Sequence, residues 1–188
     1  MASTELGDAR FKVRFLRCDE LGRLAELIEA LQAHQQLKGV LRIPSEQELQ
    51  HDLAHVRADG TRVANDHNTF VAVLEDLAAK EATGGEQGGM KHLVGYAVYL
   101  QDYDIIHGRK LYLTSLFIEK QYRFFGLGRV LMQFLRLHGD LLDMETCDVP
   151  YMLDNKIGIK FYSKYKPRQV GDEHNWAHIW LNSNDHQQ

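Results

Sequence analysis

Tyr122-Arg123-Phe124-Phe125-Gly126-Leu127-Gly128-Arg129 is the stretch on which the reading of this chain turns. Upstream of it, Arg109–Ile118 (RKLYLTSLFI) has the β-branched and aromatic content of a strand. Downstream, Gly126–Leu141 reads as a long helix with Val130, Leu131, Phe134, Leu135 and Leu142 on one side. The two glycines therefore stand where a strand gives way to a helix, and a residue without Cβ lets a ligand come close to the backbone there. The first amides of a helix have no partner inside it, and together with the helix dipole they make a site for an anion such as a pyrophosphate. The same spacing also suits an ordinary helix start at a tight turn.

Charge sharpens this reading. Acidic residues outnumber Lys and Arg by 26 to 22, a net charge of −4, which makes the chain a poor non-specific nucleic-acid binder. Yet Lys120–Gly139 carries Lys120, Arg123, Arg129 and Arg136 with no acid, and Asn155–Gly171 carries Lys156, Lys160, Lys164, Lys166 and Arg168 with none. Two basic islands around a glycine turn in an acidic chain fit a multiply phosphorylated ligand; they also fit two solvated helix faces. Neither GxxxxGK[ST] nor GxGxxG occurs, which excludes the P-loop and dinucleotide fingerprints.

Further out, Phe11–Arg17 alternates apolar and basic residues and reads as a strand. Asp19 is placed to cap a helix bearing Leu21, Leu24, Leu27, Ile28 and Leu31. Ser45 with Glu48 has capping-box spacing for a second helix. Asn68–Asp76 and His92–Leu100 read as strands, joined by a glycine-rich surface loop, and DYDIIHG forms a turn before the Arg109–Ile118 strand. Glu145–Leu153 reads as a strand with Pro150 marking a bulge or an edge. Asn155 is placed to cap a last helix through Tyr165, and Trp176–Leu181 closes as a strand. The order β-α-α-β-β-β-α-β-α-β gives an α/β fold with a mixed sheet.

The chain has 188 residues, enough for one domain with a full core. Residues 1–10 are expected to be a flexible N-terminus, 11–182 the domain and 183–188 a flexible tail. Two cysteines, Cys18 and Cys147, make neither a disulfide framework nor a zinc site; Cys147 is expected in the core. With no apolar leader and no run long enough to span a bilayer, a cytoplasmic location away from membranes is expected. His51 and His55 stand four apart but lack HExxH and a third ligand, so no metal is expected. Tyr96, Tyr99 and Tyr112, on paired strands, are expected to be packing residues, with lining of an amine pocket as the alternative for some of them.

Arg123-x-x-Gly126-x-Gly128 after a strand resembles the acetyl-CoA signature of the GNAT superfamily of N-acetyltransferases, and the element order is similar to that family's. The chain most resembles the diamine (spermidine/spermine) acetyltransferases, in VGYAVY, YD--HG-KLYL, YRFFGLG and N---IKFY. The resemblance implies a single-domain GNAT fold, a mixed and mostly antiparallel sheet flanked by helices. It implies acetyl-CoA as co-substrate, a small primary amine as acceptor and a homodimer. It assigns the backbone of Leu116, Phe117 and Ile118 to the pantetheine arm, with an oxyanion-type amide at the splayed strand. It assigns Phe124, Phe125, Gly126, Leu127, Gly128 and Arg129, with Arg123, to the pyrophosphate, and Asn155 to a cofactor hydrogen bond. Tyr162 matches the family's general acid, although periodicity alone makes it a core tyrosine.

In the diamine enzymes carboxylates hold the cationic substrate. Here Asp104 aligns with one of them, while Thr114 and Gln35 stand where the family has glutamate. That pattern fits a monoamine, a less cationic amine or a longer, less polar substrate, with Asp102 or Asp104 acting through water, or else as turn-forming residues. Agmatine, an arylalkylamine or a lysine-like amine is an alternative acceptor. An acyl-CoA-binding module with weakened catalysis is a further alternative.

Overall fold

The computed structural model describes residues 6–7, 10–35, 42–57, 60–63, 68–82, 92–105, 108–144 and 146–167. The expected Trp176–Leu181 strand and the tail lie outside them. The chain divides into two compact units, Met1–Pro150 and Tyr151–Gln188.

In the first unit, six strands form one sheet in the order β1 (Leu6–Gly7), β2 (Phe11–Phe15), β5 (Thr69–Asp76), β6 (Leu93–Asp104), β7 (Gly108–Ile118) and β8 (Thr146–Asp148). Every neighbouring pair is antiparallel except β7 with β8. The fold is thus the expected mixed, mostly antiparallel sheet flanked by helices. A separate hairpin pairs β3 (His55–Val56) with β4 (Arg62–Val63), and the sequence pattern does not predict it. Leu6 and Gly7 pair with Val13 and Lys12, so part of the expected flexible N-terminus is a strand.

Helices α1 (Leu21–His34) and α2 (Glu46–Asp52) supply one cover. Leu21, Leu24, Leu27, Leu49 and Leu53 pack in one cluster with Val71, Val73, Tyr96 and Phe117. A short helix α3 (Leu77–Ala82) follows β5 where the sequence reading has only loop. Helix α4 (Leu127–Leu141) buries Leu127, Leu131, Phe134, Leu135, His138 and Gly139. Its His138 ring meets Phe15, Phe70 and Tyr99 at centroid distances of 5.0, 4.8 and 5.8 Å, and Tyr99 Oη shares a 2.9 Å hydrogen bond with its Nδ1. Valines 71 and 73 and Phe70 belong to opposite sides of one strand, so α1 and α4 cover opposite sheet faces. No helix among the described residues is long and apolar enough to cross a membrane.

The expected capping box of α2 is present: Ser45 Oγ accepts from the Glu48 amide, and Glu48 Oε2 accepts from the Ser45 amide at 2.8 Å. The expected Asp19 cap is not. A 3-10 turn over Cys18–Glu20 precedes α1, Asp19 pairs with Arg17 at 2.8 Å, and buried Glu20 takes both Arg14 Nη atoms at 2.6 and 2.9 Å. Arg14 Nε also donates to Glu75 at 3.1 Å. A guanidinium fork between two carboxylates is the arrangement in which buried charge is tolerated. Of the expected Glu145–Leu153 strand, Thr146–Asp148 is extended and paired, and it ends there because Pro150 has no amide for a ladder; Glu145 lies outside the described residues. Cys147 on that short strand is exposed rather than in the core.

In the second unit, Asn155 caps α5 (Lys156–Tyr162), its Oδ1 accepting from the Gly158 amide at 2.9 Å. A 3-10 turn over Ser163–Tyr165 extends it.

Candidate active site

Strand β7 changes phase in its middle. Val98 pairs with Ser115 but Tyr99 pairs with Leu113, so Thr114 is the extra residue of a β-bulge. Its Oγ1 donates to the Val98 carbonyl at 3.0 Å. An inserted residue reverses the alternation of faces. Leu113 pairs with Tyr99 on the α4 side, whereas Phe117 pairs with Tyr96 on the α1 side. Ser115 follows the α1 side and donates to Tyr96 Oη at 3.1 Å. Burial pushes the Tyr96 phenol up to about 12, despite the Ser115 hydrogen bond, so it stays protonated.

The bulge also decides which peptide groups face outward. Among the described residues, strand β8 pairs with β7 at Lys110, Leu111 and Tyr112. Beyond Tyr112 that edge of β7 has no strand partner among the described residues. On the other edge the Glu119 amide donates to Val94 at 3.0 Å, one step past the Gly95–Ile118 pair. Bonded and non-bonded pairs alternate in an antiparallel ladder. Phe117 and Ser115 therefore turn their peptide groups to β6, and Leu116 and Ile118 turn theirs to the open edge. The Ile118 carbonyl on that edge accepts from Arg123 Nε at 2.8 Å. Of the three residues expected to pair with a ligand arm, Leu116 and Ile118 face the right way and Phe117 does not.

A 3-10 turn over Lys120–Tyr122 leads from β7 to the glycine loop. Phe124 has φ 70° and Gly126 φ 80°; Gly126 is the N-cap of α4 and offers no side chain to it. The Arg129 amide bonds back to the Gly126 carbonyl at 2.9 Å. Among the described residues, the amides of Phe124, Phe125, Gly126, Leu127 and Gly128 meet no acceptor. Phe124 and Phe125 are 95% and 67% exposed and Gly126 is exposed too, so the start of the row faces outward. Leu127 buries its side chain in the core and leaves only its amide; Arg129 is exposed.

Arg123 is turned inward. Besides Ile118 it meets His34 Nε2 through Nη1 at 3.2 Å, and its guanidinium lies 5.5 Å from the Phe117 ring centroid. Partial burial lowers the Arg123 pKa, with no effect on its charge near neutrality. The sequence reading missed His34, a last-turn histidine 89 residues from its partner.

The expected acceptor-side residues are not gathered together. Asp104 pairs with Gly108 at the hairpin end of β6, and Thr114 lies six residues farther along β7, about 20 Å away at strand rise. Gln35 is the half-buried C-cap of α1, beside His34. Asp102 lies 3.6 Å from the Lys110 ammonium, so its carboxylate already has a protein partner. In the second unit, the Tyr162 ring lies 5.1 Å from that of Phe161, edge to face, and is half-buried. Gly158 makes room for Asn155: a Cβ there would lie 2.5 Å from the Asn155 amide nitrogen. His51 is exposed beside Asp52 and His55 is buried against the Leu53 carbonyl, so they do not converge. No group of three or more metal-ligating side chains occurs among the described residues.

Among the described residues, a bulged strand with one open edge runs into a row of acceptor-less amides at a helix start, an arrangement that suits an acyl-CoA-type transferase scaffold. Residues 34–166 match the model of the acetyltransferase (GNAT) family, and the chain belongs to that family. No curated protein matches the chain. Among solved structures, the chain is similar to an aminoglycoside acetyltransferase from an uncultured soil metagenomic sample, solved with trehalose: 18% identity, TM-score 0.64, covering 93% of this chain and 97% of that one. A possible acetyltransferase from Clostridium difficile 630 gives 13%, 0.61, 92% and 99%. A ribosomal-protein-alanine N-acetyltransferase from Brucella melitensis biovar Abortus 2308 gives 11%, 0.61, 92% and 98%. At these identities the likeness is one of fold.

Proposed function

We propose that this chain transfers the acetyl group of acetyl-CoA to a primary amine of a small molecule. The single observation that carries this is the row of five amides at residues 124–128 that meet no acceptor among the described residues, on a GNAT scaffold. Acetyl-CoA supplies the activated thioester. The amides of Phe124 to Gly128 hold its diphosphate, with Arg129 adding charge at the first turn of α4. Arg123 is assigned to holding the loop against β7. Leu116 offers its open-edge peptide groups, and Ile118 its amide, to the pantetheine arm as an added strand would, the Ile118 carbonyl being held by Arg123. An amide on this edge polarises the thioester carbonyl.

The amine must be neutral to attack, because its lone pair forms the new C–N bond as the C–S bond breaks. Tyr162 is assigned the leaving thiolate. Its hydroxyl, near 10 in water against about 8.5 for a thiol, gives that sulfur a hydrogen bond and donates its proton only where the site favours the transfer. Asn155 is assigned a hydrogen bond to the donor through Nδ2, since its Oδ1 caps α5. No nucleophile is assigned to an acetyl-enzyme, so the amine attacks directly in a ternary complex.

The acceptor reading is a small amine of modest charge. Thr114 and Gln35 are neutral, and Asp102 is paired with Lys110. A diamine therefore competes with less cationic amines, and the structural neighbours add aminoglycosides to the panel. Titration with acetyl-CoA tests the donor: at 100 times Kd the bound protein gains about 2.7 kcal/mol of stability. Thiol release across spermidine, putrescine, agmatine, lysine analogues, arylalkylamines and an aminoglycoside ranks the acceptors. Absence of acetyl-CoA binding overturns the proposal; binding without turnover on any amine leaves the acyl-CoA-binding module in its place. A homodimer and a cytoplasmic location complete the reading, the first testable by sedimentation.

A further inference from the structure

Lys110 is a lysine with 8% of its surface exposed, on a strand of an acidic protein. Its ammonium lies 2.6 Å from Asp148 Oδ2 and 3.6 Å from Asp102 Oδ2. The three residues come from three adjacent strands. Asp102 is the direct cross-strand partner of Lys110 on β6. Asp148 is the last residue of β8, paired with Tyr112. One ammonium thus joins β6, β7 and β8 at the point where β8 stops following β7.

The seam needs such a fastener. Among the described residues it has three residue pairs, Lys110–Thr146, Leu111–Cys147 and Tyr112–Asp148. Parallel pairing is the weaker ladder, and Thr146 and Cys147 are exposed, so little apolar burial holds β8 in place. Pro150, two residues past Asp148, has no amide with which to continue the ladder. The open edge used by Leu116 and Ile118 begins directly above the seam.

We propose that Lys110 is a positioning residue for the donor. By binding Asp148 and Asp102 it fixes where β8 parts from β7, and so holds open the edge that takes the pantetheine arm. This rests on the acetyl-CoA reading above. Without the ammonium, two carboxylates face each other across β7 and the β8 end is pushed away, shifting the wall of the opening. A displacement of about 1 Å at a reacting geometry is worth up to roughly a hundredfold.

The test is steady-state kinetics with acetyl-CoA and the best acceptor on the wild type, Lys110→Met, Lys110→Arg, Asp102→Asn and Asp148→Asn, each checked for folding by circular dichroism. Lys110→Met is expected to raise the KM for acetyl-CoA about tenfold or more while the acceptor KM stays within about twofold. Lys110→Arg, which keeps the charge and both partners, recovers most of that loss. A merely structural lysine would lower the active fraction and leave both KM values alone. If Lys110→Met does not fold, the two Asn variants carry the test, since Asp102 and Asp148 are only partly buried. A folded set of variants with unchanged donor KM overturns the proposal alone. A wild type without affinity for acetyl-CoA overturns the acetyltransfer reading, and this proposal with it.

Discussion

Arg123 Nη1 lies 3.2 Å from His34 Nε2, while Nε of the same guanidinium donates to the Ile118 carbonyl at 2.8 Å. An arginine cannot accept, so His34 must receive this bond on a bare nitrogen and is neutral in the contact. Burial, then Arg123 and Lys120, hold the His34 pKa below its ordinary 6.5. The sign follows: a histidine with a lowered folded-state pKa contributes stability above the unfolded value, and that contribution is lost as pH falls through the folded one. Thermal stability and acetyl-CoA affinity should both decline as pH is lowered below 6.5, and His34→Gln, which keeps an acceptor but no titration, should flatten both profiles. Identical profiles for wild type and His34→Gln would remove His34 from the account.

What the sequence discloses and what it hides differ by range. Helix α4 and the Ser45–Glu48 box are local patterns, repeating every three or four residues, and both are where the pattern puts them. The free amide row is legible for the same reason, since it is a property of one turn. The bulge at Thr114 is not, because L-T-S-L-F alternates equally well in either phase until β6 imposes its register. Nor is the Lys110 contact, whose partner Asp148 is 38 residues away. Asp104 and Thr114 align as substrate-site neighbours in sequence, yet the hairpin sets them at different levels of the sheet. Asp19 loses its capping role to a contest over arginines: it pairs with Arg17 at 2.8 Å while Arg14 pairs with Glu20 at 2.6 Å.

Gly95 faces Ile118 across β6 and β7, and a Cβ built there would come 2.7 Å from the Phe117 carbonyl oxygen and 3.3 Å from the Ile118 Cα. Both are backbone atoms, so neither can rotate aside. Gly95→Ala should therefore cost about 1–3 kcal/mol, the usual range for forced overpacking. Urea denaturation checks it through a lower midpoint at constant slope. The strain falls on the Phe117–Ile118 peptide, so acetyl-CoA affinity should drop in the same variant. A neutral Gly95→Ala would mean that β6 and β7 are farther apart than this register places them.

Tyr162→Phe removes one hydroxyl and keeps the ring that packs on Phe161. Positioned acid–base groups contribute about a hundredfold to ten-thousandfold. A tyrosine that stabilises the thiolate without full proton transfer belongs at the lower end, so turnover should fall by roughly a hundredfold with acetyl-CoA affinity unchanged. Single-turnover thiol release separates the chemical step from product release. Unchanged turnover would take Tyr162 out of the mechanism and leave the thiolate to water.

Phe124 stands at φ 70° with 95% of its surface exposed, so its ring gains almost nothing from the fold while its backbone pays for a left-handed conformation. That conformation costs a residue with a Cβ roughly 1–2 kcal/mol and costs glycine almost nothing. Phe124→Gly relieves the strain; Phe124→Ala keeps it. After the greater chain entropy of glycine is set against the gain, Phe124→Gly should still be more stable than Phe124→Ala by about 0.5–1 kcal/mol. The amide of residue 124 is the part assigned to the diphosphate, and it keeps its direction in the glycine variant. Acetyl-CoA affinity of Phe124→Gly should therefore stay within about threefold of wild type, a change of under about 0.7 kcal/mol. A tenfold loss in Phe124→Gly would show that the ring, and not the amide alone, holds the ligand.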